Sequence, residues 1–204
     1  NGKIVSYKIL PTVIHVYRRL TYDIVNKILV DKDKETIDAN ADLLPLLNPL
    51  LEIRNILKKQ RNIRGSIDFN IPEIKVKLDS KGLPIALLKR TGSLGESIIE
   101  ECMLAANETV AKHMFMKKTP FIYRIHEQPD KEKIDSLNDL LSAFNLHINK
   151  DTETDSINPK AIQHVLEKVS GKPEEKITSS VALRTMQQAR YCEENFGHFG
   201  LAAK

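Results

Sequence analysis

From Leu94 to Lys117 the chain carries no proline and a single glycine, Gly95. No other stretch limits the possible folds as strongly. An unbroken run of this length, with apolar residues three and four apart, predicts one long helix over about 94–117. At about 100° per residue, Ile98, Ile99, Cys102, Met103, Ala105, Ala106, Val110 and Met114 sweep nearly half its circumference, and Leu104 and Ala111 lie on the other side. A helix so apolar is expected to be largely buried. Its polar residues then need partners, because an unpaired buried carboxylate costs several kcal/mol. Glu101 and Glu108 share one edge, Glu100 and Asn107 another. Two readings fit: a carboxylate aimed into a substrate channel, or an ion pair with a neighbouring base, such as Glu108 with Lys112 at i,i+4.

The helix opens on Thr91-Gly92-Ser93-Leu94-Gly95-Glu96-Ser97. The two glycines fit a phosphate cradle or a G-x-x-G clamp on nucleic acid, although the Lys-Ser/Thr pair of a P-loop is missing. Ser93 followed three residues later by Glu96 fits a capping box instead. Before this helix, residues 3–9 and 12–17 read as strands around Pro11, and Thr21 caps a short helix over 22–30. Residues 31–40 read as a charged loop. Leu and Ile at helical spacing predict a helix over 41–61 with Pro45 and Pro49 in its first turns. Strands are expected at 66–69, 73–79 and 83–89, the last two joined by the turn Ser80-Lys81-Gly82. After the long helix come a strand at 121–125, helices at 130–144, 158–169 and 174–190, a polar loop at 149–159 and a closing strand at 198–202. Strands first and helices after make this α+β rather than alternating βαβ. The expected architecture has antiparallel strands forming part of a barrel-like sheet in the first half, and packed helices dominating the second.

Charge is uneven. Residues 1–90 carry 17 basic and 10 acidic side chains, a net +7, against a net −3 for residues 91–204. A basic half can mark a polyanion-binding face. The run Arg54, Lys58, Lys59, Arg61, Arg64 either tracks a phosphate backbone or places favourable charge at a helix C-terminus. The six histidines, at 15, 113, 126, 147, 164 and 198, show no metal-ligand spacing. The two cysteines, Cys102 and Cys192, form no C-x-x-C pair, which excludes a disulfide scaffold and suits a reducing cytosol. No apolar run approaches the ~18 residues of a membrane span. The chain opens Asn1-Gly2-Lys3 and ends on Gly200–Lys204 after an apolar run, which favours an internal piece of a longer protein. Spacing alone leaves two classes open: part of a nucleic-acid enzyme, or a non-catalytic binding module.

Six stretches go further. They are RLTYDIVNKIL (19–29), RGSIDFNIPEIKVKLD (64–79), IIEECMLAANETVAKH (98–113), PFIYRIHEQPD (120–130), GKPEE (171–175) and LRTMQQARYCEENFGHFGLA (183–202). In order and spacing they resemble the catalytic domain of the ribonuclease II / ribonuclease R exoribonucleases, the ribonuclease R branch most closely. The resemblance covers most of the chain and implies that residues 1–204 are an internal part of that single catalytic domain. It implies processive 3′→5′ hydrolysis of single-stranded RNA to nucleoside 5′-monophosphates in the cytoplasm, with no membrane involved and protein partners undefined. In the family, aspartates hold Mg²⁺, which activates water and stabilises the leaving oxygen. Those aspartates, and a catalytic arginine in T-S-P-I-R-R-Y, have no counterpart here, so no catalytic residue or metal ligand is assigned to this chain. A non-catalytic RNA-interaction module of the same fold is the alternative.

The resemblance does carry two binding positions over. Phe69, in the motif GSIDF, matches an aromatic that packs on the 3′-terminal base. Glu101, the second glutamate of the I-E-E motif, matches a carboxylate that contacts the terminal nucleotide. Glu100, Asn107, His126 and His198 fall in motifs without an assigned role.

Overall fold

The computed structural model describes residues 2–69, 73–90, 92–151 and 156–203. The chain divides into two compact units, residues 1–60 with 91–107 and residues 61–90 with 108–204.

In the first unit, Thr21 caps α1 (Tyr22–Asn26) by accepting from the Ile24 amide, and the helix runs on as a π turn, Lys27–Asp31. Lys32, in the left-handed conformation, ends it. Residues 31–40 are not the expected charged loop. Asp33 accepts from the Thr36 amide at 2.9 Å and starts α2 (Lys34–Ala39), a side-chain cap that outweighs the high charge of the segment. Helix α3 spans Leu44–Arg64 with Pro49 inside it. Val25, Ile28, Leu29, Leu43, Leu47 and Ile98 make the buried cluster of this unit.

Residues 3–9 and 12–17, expected as strands, form no regular element and join none of the described ladders. Val5 and Val13 stand almost fully exposed. β-branched composition makes a strand only when a neighbouring edge takes up the backbone groups.

The strands β1 (Glu73–Leu78) and β2 (Pro84–Arg90) form an antiparallel hairpin. The Asp79 carboxylate accepts from the Lys81 and Leu83 amides in its turn, where Gly82 takes a positive φ. Helix α4 spans Leu94–Lys117, as the sequence predicts. Its expected burial is not found: Ile98, Gly95 and Glu101 are buried, but Ile99, Met103, Phe115 and Met116 are exposed. The chain's own elements cover one stripe of a helix that is apolar nearly all round.

In the second unit, α5 (Lys131–Ser142), α6 (Pro159–Val169) and α7 (Glu175–Thr185) pack around Ile134, Leu137, Leu141, Ile148, Ile162, Val165 and Ala182. Spacings of three and four put each helix's apolar residues on one face. Two strands, β3 (Tyr123–Ile125) and β4 (Arg190–Cys192), pair antiparallel. Helix α7 therefore stops at Thr185 instead of reaching 190: Met186 turns extended so that residues 190–192 can join β3. No strand forms at 66–69. The expected strand at 198–202 is a short 3₁₀ turn, Phe199–Leu201, flanked by single bridges from His198 to His126 and Ala203. The architecture is α+β, and its described strands form two antiparallel pairs with no closed barrel. Of the polar loop expected at 149–159, residues 152–155 lie outside the described residues.

Candidate nucleic-acid interface

Helix α3 ends at Gly65, whose φ of +106° releases the chain into an extended segment. A Cβ there would fall 2.4 Å from Cγ of Lys160, so glycine serves both the turn and the close approach. Ser66 and Ile67 are buried and fastened to Gly200: its carbonyl accepts from the Ile67 amide at 2.8 Å and from the Ser66 hydroxyl at 3.2 Å. Two residues on, Phe69 is half-buried. One side packs against the α5–α7 core, and the ring lines a groove of about 630 Å³. Arg184, Gln187, Gln188, His126 and His198 share that groove. An aromatic face, a guanidinium and side-chain amides are the groups that stack on bases and hydrogen-bond to nucleic acid. Arg184 is exposed and has no ion pair among the described residues.

The two histidines sit ring against ring, centroids 5.0 Å apart and planes at 75°. His126 Nδ1 accepts from the Gly200 amide at 3.1 Å, which requires the neutral ring with its proton on Nε2. Nε2 of His126 and Nδ1 of His198 are buried with no hydrogen-bond partner among the described residues. Burial, first of all, pushes His198 down to about 4, and the nearby His126 and Arg124 push the same way. Burial also lowers His126, opposed by the Gln187 carbonyl. Both rings are therefore neutral near pH 7.

The cationic run does not form one continuous track. Arg54 donates to Ser97 Oγ at 2.8 Å. Lys58 is half-buried and engaged, and Lys59 is exposed. Arg61 is 6% exposed and grips Asp68 at 2.6 and 3.2 Å and Ser66 Oγ at 2.9 Å. Arg64 clamps the Glu108 carboxylate at 2.6 and 2.8 Å and donates to the Leu201 carbonyl. Glu108 thus pairs with Arg64 rather than with Lys112.

Glu101 lies in the first unit, 2% exposed and not without a partner. Phe69 belongs to the second. The glycine pair before α4 is not an open cradle. Ser93 and Glu96 cap each other's amides at 3.3 and 2.9 Å, and Gly95 packs on the Tyr22 carbonyl while donating to Asn26. Among the described residues no group of three or more His, Cys, Asp or Glu side chains is placed to hold a metal ion, so Mg²⁺ would find no ligand set among them. No helix is long and apolar enough to cross a membrane.

Arg184, Gln187 and Gln188 were not singled out by sequence pattern. They straddle the end of α7, where helical periodicity stops, and their only sequence signal is their place in the stretch LRTMQQARY.

The RNB domain family matches residues 1–204. Ribonuclease R 1 of Lactococcus lactis is 40% identical over 203 residues, which are 100% of this chain and 24% of that protein. The chain thus spans about a quarter of the length of this curated relative. Mycoplasma genitalium RNase R in complex with ribose methylated single-stranded RNA superposes with a TM-score of 0.77 at 28% identity, over 89% of this chain and 28% of that one. Yeast Ssd1, a pseudonuclease, shares the fold at a TM-score of 0.57 and 15% identity, over 90% of this chain and 22% of that one. A match running from one end of the chain to the other, over the same arrangement of helices and short strand pairs, establishes that this chain belongs to the RNB domain family.

Proposed function

We propose that this chain is the substrate-end-binding part of the catalytic domain of a cytoplasmic 3′→5′ exoribonuclease of the ribonuclease R type. The whole enzyme hydrolyses single-stranded RNA to nucleoside 5′-monophosphates, with Mg²⁺ held by residues outside this chain. The groove carries the reading: Phe69 offers a base platform beside the exposed Arg184 guanidinium and two carboxamides. Stacking on one aromatic is worth about 1–3 kcal/mol per base and tolerates any sequence, which suits an enzyme that must accept every 3′ end in turn. Phe69 and Arg184 then hold the end of the strand rather than perform chemistry. Lys58 and Lys59 supply further salt-sensitive attraction along the backbone. Glu101 enters as an acceptor for a ribose hydroxyl. Its burial requires that the RNA reach a carboxylate already engaged, so it carries less weight than Phe69.

The test is Phe69→Ala in the intact protein. A base platform lost should slow cleavage on the order of 10²-fold, the scale of a 1 Å misplacement, or change the length of the final product, while metal affinity stays the same. Unchanged product length with loss of stability alone would make Phe69 a core residue. Glu101→Gln should reduce the preference for ribose over deoxyribose at the 3′ end.

The second reading is a non-catalytic RNA-binding module. It draws on the fold shared with a pseudonuclease and on the absence of a metal-holding group among the described residues. Incubating the intact protein with RNA and Mg²⁺ separates the two: release of mononucleotides supports the enzyme, and binding without release supports the module.

A further inference from the structure

We propose that His126 is a positioning residue for Phe69, holding through Gly200 the segment that presents the aromatic ring to the groove. The inference rests on the reading of Phe69 as a base platform.

The path is a short chain of hydrogen bonds. His126 Nδ1 accepts from the Gly200 amide at 3.1 Å. The Gly200 carbonyl then accepts from Ile67 N and Ser66 Oγ, and Phe69 follows two residues later. His126 also grips this turn with its backbone, donating to the Gly197 carbonyl at 3.1 Å and accepting from the Phe199 amide at 2.8 Å. One residue thus makes three bonds to residues 197–200, and only one of them belongs to its side chain. Gly200 leaves little room for a side chain: a Cβ would stand 3.0 Å from His126 Nδ1, so the ring would have to give by a few tenths of an ångström. The arrangement is specific to a neutral ring. A proton on Nδ1 would set N–H against N–H and release Gly200, and with it the hydrogen bonds that fix Ser66 and Ile67.

The charged and titratable neighbours bear on when this happens. Burial first, and then Arg124, disfavour a charge on His126, with the Gln187 backbone opposing them; His198 lies edge-on beside it. Arg184 shares the groove, and Glu108 acts in the opposite sense on His198. Release therefore belongs to acid conditions, below the ordinary imidazole range.

The experiment is a double-mutant cycle in the intact protein, reading affinity for a short single-stranded RNA. His126→Phe keeps a ring but removes the acceptor. His126→Asn places an amide oxygen where Nδ1 stands and does not titrate. Phe69→Ala alone should weaken binding by roughly 5- to 150-fold, the equivalent of one stacked base. His126→Phe should lose a similar factor, and the double variant should be no worse than Phe69→Ala. His126→Asn should keep near-normal affinity and remove the fall in affinity expected of the unaltered protein at acid pH, below the ordinary imidazole range. Multiplicative losses in the double variant would overturn the proposal while leaving the platform intact. No effect of Phe69→Ala would instead overturn the platform. Should His126→Phe not fold, the pH profile of His126→Asn still decides: an acid limb identical to that of the unaltered protein refutes the role.

Discussion

Arg61 and Arg184 are both arginines of the second unit, and they should fail in opposite ways. Arg61 is 6% exposed, and the hydrogen bonds of its guanidinium include two to Asp68 and one to Ser66. Breaking a buried pair usually costs about 3–5 kcal/mol, because the remaining charge is stranded. Here Asp68 keeps 46% of its side chain in water, and the Ser66 hydroxyl still has the Gly200 carbonyl at 3.2 Å. The loss in Arg61→Met is then closer to one charge-assisted bond, about 1.5–3 kcal/mol. It falls on the segment leading to Phe69. Amide exchange reads it locally: the Ile67 N–H, bonded to Gly200, should lose about 10- to 150-fold of its protection, since each 1.4 kcal/mol is tenfold. The salt dependence of RNA binding should keep its slope. Arg184→Met should do the reverse, leaving Ile67 protection intact and lowering the salt slope by roughly 0.7, one phosphate contact on a single strand. A reduced salt slope with normal Ile67 protection in Arg61→Met would place Arg61 on the RNA and refute this division of roles.

Asn138 is buried, donating to the Ile148 carbonyl at 3.1 Å and accepting from its amide at 2.8 Å. Asn138→Ala should cost about 2–4 kcal/mol by leaving both backbone groups unsatisfied, seen as a lower midpoint in urea unfolding of the helical unit. Gly200→Ala should weaken RNA binding in step with loss of Ile67 amide protection, because the new methyl meets His126 Nδ1 at 3.0 Å; normal protection would show that the ring can move aside. Stability should fall as the pH drops from about 6.5 towards 4, because the unfolded chain protonates His198 in that window and the native one does not. The slope is at most about 1.4 kcal/mol per pH unit for this ring, and less for one only half-buried. Urea unfolding at pH 7 and pH 5 measures it, and an unchanged slope in His198→Phe would remove His198 as the source.

The helices were legible because their signals are local. Leu94–Lys117 declares itself by length and freedom from proline, and its start by Ser93 and Glu96 three residues apart. Helix α6 shows the same, with Asn158 capping and Pro159 leading its first turn. The extended segments were legible only in part: the hairpin of Glu73–Leu78 with Pro84–Arg90 and the strand Tyr123–Ile125 fall where they are expected, but elsewhere a strand depends on its neighbour. Residues 3–9 and 12–17 have the composition of strands and join no described ladder, whereas Arg190–Cys192 begins at the last residue of an expected helix and pairs with Tyr123–Ile125. Phe69 and Glu101 came from resemblance, not pattern; an aromatic in a five-residue motif has no periodicity to betray it. The cationic run was legible as charge but not as role. Arg61 and Asp68, seven residues apart, meet only because Gly65 turns the chain back.

The groove is held by contacts that sequence pattern cannot see. Gly200 meets Ser66 across 134 positions and His126 across 74, and the bonds use backbone groups that every residue possesses. What is particular is the residue that permits each contact: glycine at 65, where a Cβ would collide, glycine at 200, where a Cβ would crowd the ring, and a neutral imidazole at 126. Motifs such as GSIDF, RIHE and GHFG are therefore linked by geometry, each supplying one side of the same junction. On the proposed function, this separates the residues that would hold RNA from those that would cut it. The junction presents an aromatic ring and a guanidinium without supplying a metal site among the described residues.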